Sequence, residues 1–496
     1  MTSPTDRDDT VVRVAASDHD DVAVTVDAGV GGTVARVGST GVPALEPLVV
    51  VTRDGRSGFY ARCSDDRIAD VASACLADAD VTAADPDAVA DHDPAATSLP
   101  PVDLPGLDTD RPVLGGCGWR RPESAGDHGD AGGFADAEAD AVFDAGATLL
   151  GRGWGDWCRD RPLVEAWETA AEVDEAPAVV VNGHGSTTDS LLLASAPMEV
   201  LDGAMALTDA VDAERLVVYL SEADERAAER VRAAADGYPD PAAAVEVHTG
   251  PAVYRAAEPT MALEAIEGNH RLEARLRPPG PDSVGLDGHP TLVHTPRTLA
   301  HLSVTLRRDE PPETRVVTVD GDVDTSATVE LSADAPLSTA LDAVSLTGEF
   351  KAACVGGRFG GLTDSLDVRP TPEALTAAGL GTDGRVELLT DDRCLLSFVG
   401  KRAQFAADAN CGRCVPCREG TTQLAELLRD IYDGAYDPDA VDELTDVMAE
   451  TSICAFGVDA GRPARTAMES FDAELAAHAE GRCPAGSCPD MLEVSH

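Results

Sequence analysis

The sequence predicts a multidomain α/β protein that ends in a helical bundle carrying a metal centre. Three observations predict it. The chain has 496 residues, more than a single hydrophobic core usually supports. From about residue 136 to 305, apolar runs of strand length alternate with helical patterns, the mark of a layered α/β domain. Beyond residue 400 the pattern turns helical and surrounds a cysteine run, CGRCVPC.

In chain order, residues 1–10 are polar and acidic and are expected to be disordered. Residues 11–80 hold apolar or alternating runs at 11–14, 22–26 and 48–51, broken by Gly and Asp, and read as a small α/β domain. Residues 81–135 read as a linker: 81–112 is rich in Asp, Pro and Ala, and 122–134 carries Gly and Asp that oppose helix formation. In the α/β domain at 136–310, 178–181 and 216–220 read as strands. Residues 197–207 and 224–235 read as helices, the first opening on a proline suited to that position. Residues 311–395 are β-rich, with strands at 314–319 and 327–331, a helix at 337–344, a Gly-rich turn at 356–361 and a hairpin-like segment at 384–389. A bundle over 396–480 is expected from helical patterns at 403–407, 421–432, 438–450 and 463–478, and 481–496 reads as a loose tail.

Charge narrows the function classes. Asp and Glu total 89 against 38 Lys and Arg, a net charge of −51, and the only lysines are Lys351 and Lys401. The acids run along the whole chain, so their mutual repulsion is relieved only where salt screens over about 3 Å, as it does near 1 M. This points to a salt-rich cytoplasm. No basic stripe exists to bind nucleic acid. No apolar run approaches the ~20 residues of a membrane span, and the polar N-terminus does not suit a signal peptide. A cytoplasmic protein is expected, with docking on a larger membrane complex compatible.

Twelve cysteines bunched toward the C-terminus suit metal ligation better than disulfides. Cys411, Cys414 and Cys417 form a C-x₂-C-x₂-C run, and Cys454 follows in the segment TSICAFG. Three closely spaced thiolates with a fourth from elsewhere suit a 4Fe–4S cluster; structural zinc more often uses two separated pairs. Cys483 and Cys488 read as a surface pair. Cys63, Cys75, Cys117, Cys158, Cys354 and Cys394 are isolated and read mostly as buried, inert thiols.

The segments NCGRCVPCREGTTQL, TSICAFG and RPARTAMESFDAEL together resemble the cluster-binding bundle of the NADH-binding flavoprotein (F, 51 kDa type) subunit of NADH-quinone oxidoreductase. Related subunits serve NAD-dependent formate dehydrogenases and hydrogenases. LLGRGWGDW (149–157) is similar to that family's glycine-rich flavin loop, VHTGPAVYRAAEPTMALEAIEG (247–268) to its next conserved segment, and GGRFGGL to the glycine turn of its ubiquitin-like SLBB β-grasp domain. GSTGVPALEPLVVV resembles a thioredoxin-like domain that elsewhere holds a 2Fe–2S cluster. Here Ser39 and Pro43 replace ligand cysteines, which implies a domain without that cluster. The resemblance thus implies a thioredoxin-like domain, a Rossmann-like FMN/NADH domain, an SLBB domain and a 4Fe–4S bundle.

The resemblance also implies cofactor contacts from Gly151, Arg152, Gly153, Gly155, Asn182 and Glu258, with Cys411, Cys414, Cys417 and Cys454 on the cluster. Yet Trp154 and Asp156 stand where the family has glycines. Its Asn-Ala-Asp-Glu run reads Asn182, Gly183, His184, Gly185, and its paired asparagines read His294 and Thr295. Two functions follow as expectations. In the first, NADH reduces FMN, which feeds the cluster and then a partner subunit of an Fe–S oxidoreductase complex. In the second, the chain is a non-catalytic cluster relay or scaffold that has lost flavin and NAD binding.

Overall fold

The computed structural model describes residues 10–17, 33–132, 134, 137–308 and 311–488. Two expectations fall outside them: the run at 22–26 and the disorder of residues 1–9. Residues 489–496 of the tail also lie outside.

The first sheet contains β1 (Val11–Ala15), β2 (Thr33–Val37), β3 (Leu48–Arg53), β4 (Arg56–Tyr60) and β5 (Ala88–Asp91), in the order β2-β1-β3-β4-β5. β1 runs parallel to β2, and the other neighbours are antiparallel. Alternation along β3 sends Val49 and Val51 to one face and Leu48 and Val50 to the other. On the first face lies the helix Asp65–Asp78, started by the Ser64 side chain and burying Ile68, Val71, Ala72 and Cys75. β5 corrects the linker expectation: 81–112 supplies an edge strand, and its Leu99, Val102 and Leu107 enter the core. Likewise 125–130 is helical despite its glycines, because Ser124 caps it by accepting from Asp127 N.

The second sheet holds β6 (Ala178–Asn182), β7 (Arg215–Ser221), β8 (Val245–Gly250) and β9 (Thr291–His294), all parallel, in the order β8-β7-β6-β9. β6 and the centre of β7 are buried throughout, as a sheet covered on both faces requires. The predicted helices appear as Pro197–Ala210 and Glu225–Gly237. Pro197–Ala210 packs on Pro296–Leu306, and the contact is so close that a Cβ on Gly203 would lie 2.0 Å from the Leu299 carbonyl oxygen.

The third sheet consists of β10 (Thr314–Gly321), β11 (Ala327–Ser332), β12 (Phe350–Val355), β13 (Gly361–Thr363) and β14 (Arg385–Thr390), in the order β11-β10-β14-β12-β13. β14 is not half of a local hairpin, as expected, but the central strand, parallel to β10 and antiparallel to β12. The helix expected at 337–344 is a 3-10 helix, Leu337–Ala343. This sheet shares one core with the far face of the first: Leu48 and Val50 pack in the same cluster as Val317, Val329 and Leu388.

Among the described residues, the α-helices that follow are Leu395–Ala409, Val415–Asp430, Pro438–Thr451, Ala455–Asp459, Arg462–Ser470 and Asp472–Ala479. The segment expected at 403–407 is thus one turn of a much longer helix. Among the described residues, no single helix is long and apolar enough to cross a membrane.

Gly203→Ala is expected to destabilise the protein by about 1–3 kcal/mol, because the new methyl must force two helix backbones apart. Denaturant midpoints measured at constant high salt check this; an unchanged midpoint would refute the close approach.

Candidate metal centre and flavin-type loop

The four bundle cysteines sit where loops enter helices. Cys414 is the residue before the helix Val415–Asp430, and Pro416 occupies its first turn. Cys454 stands in the same relation to the helix Ala455–Asp459. Gly412 adopts φ +75°, which favours glycine, and its N–H donates to Asn410 Oδ1 at 2.9 Å. Gly457 permits the two segments to meet, since a Cβ there would lie 2.8 Å from that of Cys417. Cys417 and Cys454 are buried, while Cys411 and Cys414 are half-buried. Burial pushes the Cys454 thiol up to about 12, and burial together with the other three cysteines raises Cys417 further. Four thiolates can be held here only with the compensating charge of a metal centre.

A second thiol group lies at the far end of the bundle. Cys394, His478, Cys483 and Cys488 place one ligand atom each within 4.8 Å of all the others. Cys394 Sγ is 3.2 Å from His478 Nε2 and 3.0 Å from Cys488 Sγ, and Cys488 Sγ is 3.3 Å from the same ring nitrogen. Burial opposes ionisation of Cys483, but hydrogen bonds from Cys488 and His478 prevail and bring its thiol down to about 6.

Size separates the two centres. Zn–S bonds near 2.3 Å put tetrahedral ligands about 3.8 Å apart, so the Cys3His group could hold a single zinc ion. Each cysteine on a cubane binds a different iron, so its sulfurs need not close to that spacing. Cys483 and Cys488, read as a surface pair, and Cys394, read as an isolated buried thiol, are thus brought together with His478. The spacing His478-x₄-Cys483-x₄-Cys488 carried a signal; Cys394, far upstream, carried none.

The glycine-rich loop lies between the second sheet and the bundle. Gly153 packs against Thr295, and Gly155 against the Asn182 amide. Asn182 Nδ2 donates to the carbonyl oxygens of Gly155 (3.0 Å) and Ala257 (2.9 Å), so it fixes the loop rather than facing open space. Gly151 lies against Cys158, a close approach that leaves no room for a side chain. The Arg152 guanidinium donates to the Thr314 carbonyl, inside the protein, and burial lowers it to about 9. Glu258 caps the helix Pro259–Ile266, accepting from Thr260 N and Met261 N, and pairs with Arg277. Both of its oxygens are therefore engaged.

Asp156 fills the centre of the loop. Its Oδ2 accepts from Arg152 N (3.0 Å), Gly153 N (2.7 Å), Thr295 Oγ1 (2.8 Å) and Thr298 Oγ1 (2.9 Å), and its Oδ1 from Thr295 N (2.9 Å). Trp167 Nε1 donates to His294 Nε2 (2.9 Å), so the ring's proton sits on Nδ1, 3.4 Å from Asp156 Oδ1. Burial opposes the charge of Asp156, but His294 and the loop amides outweigh it and hold the carboxyl below its usual range. Two positions away, the Trp154 indole stacks on Tyr254 with ring centres 4.8 Å apart and donates from Nε1 to Asp459 Oδ2 (3.3 Å). FMN needs room for a flat ring and an anion site for its phosphate. The amides of Arg152, Gly153 and Trp154 and the residues facing them are already satisfied within the chain, so the residues present do not fit it.

Residues 397–478 match the model of the NADH-ubiquinone oxidoreductase-F iron-sulfur binding region. Residues 147–303 match that of the Nuo51 FMN-binding domain. The F-type subunit of NADH-quinone oxidoreductase from Mycobacterium bovis is 30% identical over 263 residues, covering 49% of this chain and 58% of that protein. The second F-type subunit of the Rhizobium meliloti enzyme is 28% identical over 334 residues, covering 60% and 79%. The chain thus spans a little over half the length of several relatives it matches. A subunit in the crystal structure of an NAD+-reducing [NiFe]-hydrogenase in the H2-reduced state superposes with a TM-score of 0.64 at 21% identity, over 99% of this chain and 89% of that one, a likeness of fold. With a match to a flavin-type domain followed by a match to an iron–sulfur binding region, the chain is similar in both parts to the 51 kDa F-type subunits of NADH-quinone oxidoreductases.

Proposed function

We propose that this chain is an NADH dehydrogenase-like subunit whose working centre is a 4Fe–4S cluster on Cys411, Cys414, Cys417 and Cys454, passing electrons to a neighbouring subunit of an oxidoreductase complex. The observation that carries it is the convergence of those cysteines within the matched iron–sulfur region. An apolar shell of Phe405, Met448 and Phe456 around them limits water, which protects a cluster and tunes its potential.

The flavin arm of the family would convert a two-electron hydride donor into single electrons when FMN is bound. Because Asp156 and Trp154 fill the loop, the relay reading is favoured here: the cluster exchanges single electrons with partner subunits, and NADH is oxidised elsewhere in the assembly. Relatives that are subunits of NADH-quinone oxidoreductases and hydrogenases support such an assembly as partner. A cytoplasmic place, peripheral on that assembly, accords with the helix lengths.

The domain plan follows the same reading. Residues 11–80, extended by β5, form a thioredoxin-like domain, supported by the parallel β1–β2 pair and the order β2-β1-β3-β4. Ser39 donates to Glu46 there, a hydrogen bond where ligation would otherwise be expected. Residues 136–310 form the flavin-type domain. Residues 311–395 form an SLBB β-grasp domain, supported by the central parallel pair β10–β14. Residues 396–480 form the cluster bundle. The acid excess of the chain reads as adaptation to concentrated salt.

Anaerobic purification in high salt is expected to yield about four irons per chain. Cys417→Ser should lose most of that iron, whereas Cys488→Ser should keep it and lose zinc. Iron that survives in Cys417→Ser, or zinc alone at the bundle cysteines, would refute the cluster. Stability is also expected to rise steadily from 0.1 M to well above 1 M salt, as screening contracts from about 10 Å to 3 Å. A midpoint that falls or stays level over that range would remove the salt-adapted reading.

A further inference from the structure

A loop rich in glycine beside a helix N-terminus is ordinarily a place where backbone N–H groups collect around an anion that arrives from outside. The elements of such a site are complete here. Arg152 N and Gly153 N come from the loop, and Thr295 N and the Thr295 and Thr298 hydroxyls from the start of the helix Pro296–Leu306. All of them converge on one carboxylate, and that carboxylate belongs to the chain. The Asp156 side chain is 0% exposed, so no second anion can reach these donors while it is present.

The neighbouring volume is filled in a matching way. Two residues before the carboxylate, the Trp154 indole lies flat on Tyr254, whose other sides meet the edges of Phe359, Phe405 and Phe456. The next opening, lined by Gly185, Ser186, Tyr254, Arg358, Asp383 and Arg385, has a volume of about 250 Å³. Sites for drug-sized ligands run ~300–1,000 Å³, so this cleft is small for a flavin nucleotide. Its walls also carry both signs of charge.

We propose that Asp156 and Trp154 are built-in substitutes for the anionic group and the flat ring of a nucleotide cofactor, and that the flavin-type domain of this chain is permanently closed by them. The pairing is specific in chemistry. An acid takes the anion's donors, and the largest aromatic side chain takes the stacking place on Tyr254. Loss of a cofactor without replacement would leave buried N–H groups and an apolar void, each costing stability. These two side chains remove both costs, so the domain stays folded as a platform for the bundle. This inference sharpens the relay reading but does not require the cluster, so iron content reports separately on the latter.

The full chain, purified in high salt, is titrated with FMN and with inorganic phosphate, and its acid-released flavin is measured. The wild type is expected to release no flavin, to leave FMN fluorescence unquenched and to show no thermal shift with phosphate. Asp156→Gly should gain a phosphate-dependent rise in its thermal midpoint. Asp156→Gly combined with Trp154→Gly should bind FMN at least a hundredfold more tightly than the wild type. Stoichiometric flavin in the wild type, or micromolar FMN binding by it, would overturn the proposal. So would a folded Asp156→Gly protein, with wild-type iron content, that ignores phosphate. Should the glycine variants fail to fold, Asp156→Ala, which removes the carboxylate and opens its place to solute while keeping ordinary backbone stiffness, supplies the same phosphate test.

Discussion

The buried carboxylate of Asp459 is the constraint on which the arrangement of domains depends. It accepts from Trp154 Nε1 in the flavin-type domain, from Arg159 at 2.8 Å in the same domain, and from Arg462 in the bundle. Arg462 in turn donates to the carbonyl of Phe359 in the turn between β12 and β13 of the third sheet. Three structural units therefore meet at one charge. Burial works against that charge, but the two guanidiniums outweigh it and hold the carboxyl at about 2. A single arginine would leave the carboxylate's second oxygen short of partners, and a buried charge is tolerated only when its hydrogen bonding is complete.

Position in the chain gives this clasp its significance. Asp459 ends the short helix that begins directly after Cys454, so that cysteine is placed by the contact that docks the glycine-rich loop. The same seam contains Trp154, Tyr254 and Phe456 packed in one core with Cys417 and Cys454. The bundle is thus not an appended module. Its geometry is referenced to the domain beside it, which explains how that domain can remain necessary after its own site has closed.

How much of this was legible in the sequence depended on the range of the interaction involved. The cysteine run, the strands at β6 and β7 and the helix beginning at Pro197 are local patterns of spacing and polarity, and they emerged much as read. β5 and β14 did not, because a short strand is defined by its partner: β5 is an edge paired only with β4, and β14 lies between strands from distant parts of the chain. The helix at 125–130 was hidden because a single capping serine outweighed two glycines. At the loop, Asp156 and Trp154 stood out as departures from a glycine pattern. What they do there was not legible, since their partners Thr295, Thr298, Tyr254 and Asp459 are each distant in sequence. Cys394 was missed for the same reason, whereas His478 lay close enough to Cys483 for its spacing to have been read.

The Cys3His group at the end of the bundle has a mechanical consequence. Cys394 opens the bundle's first helix, and His478 lies in its last turn of helix, with Cys483 and Cys488 just beyond. A metal held by all four would act as a rivet closing the bundle into a ring, tying its first residue to its last without any covalent bond. Unlike a disulfide, such a rivet responds to chelation as well as to oxidation.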